Sequence, residues 1–243
     1  MRLSPLGLGM NNPILTIEEQ NNIDAGPWFS RLSDELRAAI LSRAVVRRLP
    51  DGASLASRGS PAEDWCGVAK GAVRVSSVSL SGKQVSLTYV EPGTWFGDIA
   101  LFDGLPRTHD GNAHGPTTVL QVRKPDFKEL LSQHVELYEA LLRLNCRRLR
   151  IMFNLVEDLN TRPLSARLAK NILMLAKAYG INQGDEVRIG LQLAQEDLAQ
   201  LVGASRQRVN QELKELEREG ALRIEPTRIV VLSREKLVHA AEH

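Results

Sequence analysis

Apolar positions change their period along the chain. Between residues 44 and 123 they alternate in short runs: Val73 and Val75; Val85, Leu87 and Tyr89; Val119 to Val122. Glycines at 52, 59, 67, 71, 82, 93 and 97 punctuate these runs. Alternation buries one face of a strand, and many short strands with Gly-bearing turns predict a β-roll or sandwich. Ser81-Gly82 reads as a hairpin tip and Pro92-Gly93 as a further turn. From Pro125, which suits a first helical turn, the period becomes helical. Leu137, Leu141, Leu144, Ile151, Leu155 and Leu159, widened by Phe153 and Val156, predict a long helix to about Asn160, with a break near Gln133-His134. Arg162-Pro163 ends it.

Beyond that break the pattern is mixed. Leu168, Ile172 and Leu175 place an amphipathic helix over Leu164 to Tyr179, and Gly180 is expected to stop it in a left-handed conformation. Val187, Ile189, Leu191 and Leu193 alternate as a short strand. Gln195 to Val202 forms a helix, Gly203-Ala204 a turn, and Ser205 an N-cap. The next helix buries Val209, Leu213 and Leu216. Ala221–Ile224 and Arg228–Leu232 pair through Glu225-Pro226-Thr227. A helix pair followed by a hairpin is a winged helix-turn-helix. Before the roll, Ser33 caps a short helix ending near Ser42, and residues 1–27 read as a leader with an ordered piece around Ile14 to Ile23. The class is therefore α+β: leader 1–27, β-roll 28–124, long helix 125–161 and winged helix-turn-helix 162–243.

The helix pair carries the chemistry. Arg206, Gln207, Asn210 and Gln211 lie opposite the apolar face of the second helix, where such groups bond base edges in a major groove. Arg208 adds charge for the backbone, and the wing offers Thr227 or Arg228 to a phosphate. An ordinary helical hairpin would show the same polar face merely solvated. The net charge of +2 offers no bulk attraction to nucleic acid, so a basic surface must be local. Cys66 and Cys146 are far apart, which points to free thiols rather than a disulfide or a Cys-based metal site. No apolar run is long enough to span a bilayer and no signal peptide is evident, giving a cytoplasmic expectation without membrane partners. No nucleophile–base pair, H-x-x-x-H site or Walker-type loop appears, so an enzyme is not expected.

The order roll, long helix, winged helix, together with three short stretches, resembles the Crp/Fnr family of bacterial regulators over roughly Phe29 to Leu232. Gly97-Asp98-Ile99-Ala100-Leu101-Phe102, followed by Pro106-Arg107-Thr108, is similar to the family's phosphate-binding cassette. Cys146-Arg147-Arg148-Leu149 resembles its dimer helix, and Leu201-Val202-Gly203-Ala204-Ser205-Arg206 its helix-turn-helix signature. The resemblance implies a homodimer on a palindromic double-stranded operator, with RNA polymerase as a further partner if the protein activates. It implies that Ser205 bonds a phosphate and Arg206 reads a guanine. Gln207 stands where many members have Glu, Gln211 where the cyclic-AMP-binding member has Arg, and Asn210 where it has Gly. The DNA-facing set is thus Gln195, Ser205, Arg206, Gln207, Arg208, Asn210, Gln211, Thr227 and Arg228.

At the other end the resemblance places an effector on Gly97, Asp98, Ile99, Ala100, Arg107 and Thr108. Gly97 lets backbone N–H groups approach an anion, Arg107 and Thr108 bond its phosphate, and Asp98 stands where a Glu holds a ribose hydroxyl. Met152 and Phe153 occupy the positions of two hydroxyl residues, one from each subunit, that bind adenine. Neither makes a directional hydrogen bond to a purine edge, so cyclic AMP in that geometry is disfavoured. A different cyclic nucleotide, another small anionic effector, or none with a relic cassette all stay open. In the last case Arg107 would salt-bridge to Asp98 or Asp103. A module regulating a protein partner is the remaining alternative. An iron–sulfur cluster needs cysteines that the leader lacks, and a haem would have to use His109 or His114. No other cofactor or metal is implied.

Overall fold

The computed structural model describes residues 14–79, 82 and 84–242. Residues 1–13, and with them most of the leader, lie outside the described residues, as does Ser81 of the expected hairpin tip. In chain order the elements are α1 (Ile17–Asp24), α2 (Asp34–Arg43), β1 (Val45–Leu49), β2 (Ser54–Ala56), β3 (Asp64–Val78), β4 (Gln84–Val90), β5 (Trp95–Phe96), α3 (Asp98–Asp103), β6 (Asp110–Arg123), α4 (Lys124–Gln133), α5 (Val135–Thr161), α6 (Leu164–Tyr179), β7 (Gly180–Gln183), β8 (Glu186–Ile189), α7 (Gln195–Val202), α8 (Arg206–Arg218), β9 (Leu222–Glu225), β10 (Arg228–Val231) and α9 (Arg234–Glu242).

The roll is an antiparallel sheet ordered β1-β6-β3-β4, with β2 on β6 and β5 on β3. Its two long strands shift register between Val68 and Ala72, which bends the sheet as bulges do. Gly71, at φ +78°, sits in that bend; a Cβ there would lie 2.5 Å from the Pro116 carbonyl oxygen. The core holds Trp28, Phe29, Trp65, Trp95 and Phe127 in ring contact, with Trp65 and Trp95 centroids 4.4 Å apart. The front of this core is closed by α1. Thr16 caps α1 in a capping box with Glu19. Glu19 is buried, accepts from Arg48 at 2.5 Å and from the Thr118 hydroxyl at 2.7 Å, and thereby pins α1 to the sheet.

The helical break falls at His134, whose extended backbone separates α4 from α5. Helix α5 ends at Thr161, and Pro163 caps α6. Gly180 departs from the expected left-handed stop. It is extended, at φ −70° and ψ 132°, and opens β7. Glycine is needed there for closeness rather than handedness, because a Cβ would lie 2.1 Å from the Ala176 carbonyl oxygen. Only Val187 and Ile189 of the expected strand are in β8, whereas Leu191 and Leu193 are buried beyond its end. The second sheet is β7-β8-β10-β9. It packs with α6, α7, α8 and α9 around Leu168, Ile172, Leu198, Val202, Val209, Leu213 and Leu237. Ala72 and Tyr89 of the roll join the same cluster. The edge strand β4 therefore abuts α7, where the Ser86 amide donates to Gln200 Oε1 at 2.8 Å.

Candidate nucleic-acid interface and effector cassette

Local chemistry builds the helix pair. α7 ends at Gly203 in the left-handed region, φ 66°, and Ser205 then caps α8, its hydroxyl accepting from the Arg208 amide. Val209, Leu213 and Leu216 turn inward. With that face fixed, Ser205, Arg206, Gln207, Arg208 and Gln211 are exposed at the N-terminal half of α8, and Asn210 is half-buried beside them. Gln195, the first residue of α7, donates to Asn210 Oδ1 at 3.2 Å. The wing tip is held by the Thr227 carbonyl, which accepts from the Leu193 amide at 2.9 Å. Thr227 itself has φ +58°, a strained position for a β-branched residue. Arg228, half-buried, stands next to it. Its Nη1 donates to the Gly190 carbonyl at 2.8 Å, so part of its charge holds the wing to the strand end. Thr227 is exposed.

The cassette is assembled by the turn between β5 and β6. Gly97 is left-handed, φ 94°, and starts α3. A Cβ there would come 3.4 Å from Arg107 Nη1, so the guanidinium, carried on the loop between α3 and β6, stands directly beside the Gly97 backbone. Arg107 Nη2 donates to the Asp64 carbonyl at 3.1 Å, not to Asp98 or Asp103. Burial pushes the Asp64 carboxyl up, and Arg107 draws it partly back. Thr108 is exposed with its hydroxyl against His109 Nδ1 at 2.8 Å, and Ile99 is exposed while Ala100 is buried. His109, half-buried and beside Arg58, is shifted down by burial first and by that charge second. His114 lies elsewhere, its Nε2 2.6 Å from the Gln192 carbonyl.

Asp98 is the main difference from the expected arrangement. Its carboxylate is fully buried and is engaged by α5. Arg148 Nη1 donates to both of its oxygens, at 2.9 and 3.1 Å, and Asn145 Nδ2 donates at 2.8 Å. Arg148 Nη2 also donates to the Trp95 carbonyl. The group offered for a ribose contact is thus the anchor that joins α3 and β5 to α5. Met152 and Phe153 lie further along α5 and are exposed. Arg148, Asn145 and Asp64 contact the cassette residues in ways that sequence patterning does not reveal. The Arg-rich run 147–150 and the amide at 145 are visible in sequence, but their partner fifty residues away is not.

Helix α5 leaves an apolar stripe uncovered. Val135, Leu142, Leu149 and Val156 recur every seven residues, and Cys146 and Phe153 follow four after Leu142 and Leu149. All six are exposed. This is the spacing of a coiled-coil seam. Among the described residues, no helix is long and apolar enough to cross a membrane.

Comparison with known proteins adds a second line. Residues 46–134 match the model of the cyclic nucleotide-binding domain, and residues 166–240 that of the Crp-like helix-turn-helix domain. The CRP-like cAMP-activated global transcriptional regulator of Mycobacterium tuberculosis is 30% identical over 213 residues, 88% of this chain and 95% of that protein. The global nitrogen regulator of Synechocystis is 26% identical over 205 residues, 84% of this chain and 89% of that protein. The solved c-di-GMP responsive global regulator CLP of Xanthomonas campestris superposes with a TM-score of 0.70, at 20% identity, over 83% of this chain and 100% of that one; this likeness concerns fold alone. With its roll, its cassette glycine and arginine, its long helix and its capped recognition helix in this order, the chain belongs to the Crp/Fnr family of DNA-binding transcription regulators.

Proposed function

We propose that the protein is a homodimer that binds a palindromic operator through two copies of α8 and answers to a small anionic effector at the cassette. The observation that carries this is the division of α8: Val209, Leu213 and Leu216 are buried while Arg206, Gln207, Arg208 and Gln211 are exposed. An α5–α5 seam burying Leu142, Leu149, Phe153 and Val156 from both copies would present two such helices to successive major grooves, about 34 Å apart. Arg206 takes guanine in the bidentate O6/N7 geometry, and Ser205 and Arg208 meet phosphate.

For the effector, the Gly97 backbone and Arg107 supply an anion seat, and Thr108 a hydroxyl. Met152 and Phe153 supply apolar surface in place of purine-edge hydrogen bonds. These groups suit a phosphate-bearing ligand held through stacking and packing on α5. The three relatives are named for cyclic AMP, nitrogen and c-di-GMP, so kinship does not choose among ligands. A ligand shifts the chain only by favouring one packing of α5 over another. The cassette lies against α5 through Asp98 and Arg148, which gives such a preference a route to the DNA-binding end. The engagement of Asp98 favours a second reading as well, in which α3 is a structural bridge and DNA binding needs no effector.

Both readings are tested by selecting genomic fragments with the full-length chain, with and without a panel of cyclic mono- and dinucleotides. A palindrome enriched only with one nucleotide supports the effector. The same palindrome without any supports the bridge. No enriched, salt-dependent site overturns the regulator assignment. Contact with RNA polymerase would be part of this function only if transcription from such sites rises.

A further inference from the structure

Gln195 and Asn210 meet across the helix pair although neither caps a helix nor fills the core. Gln195 Nε2 donates to Asn210 Oδ1, and both residues are half-buried. Asn210 stands one turn beyond Arg206 and three residues after Gln207, so it belongs to the same polar row on α8. Resting on the DNA-binding reading above, we propose that this amide pair sets the base preferred at one position of each half-site, with Gln195 a positioning residue that leaves Asn210 only its donor to offer.

The chemistry follows from the asymmetry of a carboxamide. A free asparagine reads adenine by donating to N7 and accepting from N6 at once. Acceptance needs Oδ1, and here Oδ1 already receives the Gln195 proton and is turned toward α7. The group this leaves for a base is Nδ2, which only donates. Guanine presents two acceptors, N7 and O6, and thymine presents O4. Adenine sets its N6 donor beside N7, and cytosine offers a donor alone. The clamp therefore rejects cytosine at the base that Asn210 reaches, favours guanine or thymine, and leaves adenine only a single bond to N7. Gln207, which has no such partner among the described residues, keeps both ends of its amide.

Gln195→Glu is the decisive variant. A carboxylate cannot donate, so Asn210 must turn its Nδ2 toward it and present Oδ1 instead. The full-length chain and its Q195E, Q195A and N210A variants are each selected against a randomised duplex library at one salt concentration. Q195E is expected to move the preference at one position per half-site toward adenine or cytosine, by about fivefold or more in relative enrichment, the scale of one changed base contact. Q195A should strengthen adenine there, and N210A should erase that preference while the rest of the motif survives. An unchanged preference at every position in Q195E and N210A, with or without uniform weakening, overturns the proposal and leaves DNA binding intact. A wild-type chain that enriches no motif overturns instead the reading on which the proposal rests.

Discussion

Replacing Arg148 by Met should loosen the joint between the cassette and α5. Asp98 has no solvent exposure, and Arg148 supplies two of its hydrogen bonds as well as its counter-charge. Removing one member of a buried pair costs about 3–5 kcal/mol, because the other charge stays desolvated. Asn145 still donates to Asp98, and the Arg148 side chain is 28% exposed, so the lower end, about 3 kcal/mol, is expected. In a chain of this size that corresponds to a fall in Tm of about 6–12 °C. Asp98→Asn alone should cost less, since an amide tolerates burial better than a lone carboxylate. The double variant D98N/R148M should recover about 2 kcal/mol relative to the sum of the singles. Thermal unfolding followed by circular dichroism, at one fixed protein concentration, measures all three. A fall of less than about 2 °C for R148M, or strict additivity in the double variant, would refute the view that the pair is a buried joint.

The remaining predictions concern the other elements. Glu19 is held down at about 2, chiefly by its hydrogen bond from Arg48. A depressed carboxyl contributes stability above its ordinary value, about 4.3, and loses it as pH falls from there toward 2. Denaturant midpoints should therefore drop over that window in the wild type and drop less in Glu19→Gln; parallel curves would show that the pair does not hold α1. Arg206→Ala should weaken binding to the selected site by about 1–3 kcal/mol and relax preference at one base pair. Retention of that preference in a quantitative gel shift would remove Arg206 from the reading set. A short bismaleimide should join two copies through the exposed Cys146, while Cys66 is buried with its thiol pushed up to about 12 and does not compete. Absence of a linked dimer on a denaturing gel, or its persistence in Cys146→Ser, would argue against a parallel α5 seam.

What can be read from sequence is what depends on near neighbours. The period of Val209, Leu213 and Leu216, the Ser205 cap and Gly203 at a left-handed turn are local, and they give α7 and α8 their ends and faces. Thr16 and Glu19 carry a capping-box spacing, so α1 is equally readable. That Glu19 also reaches Arg48 and Thr118 is not readable, because the contact is made across the sheet. The cassette shows the same limit. Gly97 and Arg107 stand ten residues apart and lie side by side. Asp98 is paired with Arg148, on an element whose angle to α3 no local pattern encodes. Gly180 shows a related failure. A glycine after a helix commonly signals a left-handed stop, but here the close approach of Ala176 and Val187 demands the missing side chain. That Arg228 donates to the Gly190 carbonyl is likewise beyond any local pattern.

The aromatic core has an optical consequence. The chain has three tryptophans, at 28, 65 and 95, and all of them lie in the one cluster inside the roll. None follows residue 95, so the winged helix and the long α5 helix are dark when indole is excited selectively. Trp95 stands two residues before Gly97, and its carbonyl receives Arg148. Intrinsic emission is thus a built-in reporter of the cassette, free of signal from the DNA-reading end. A change in that emission when operator is added would have crossed the molecule from α8 to the roll. It would measure, without any label, how strongly the two ends are coupled.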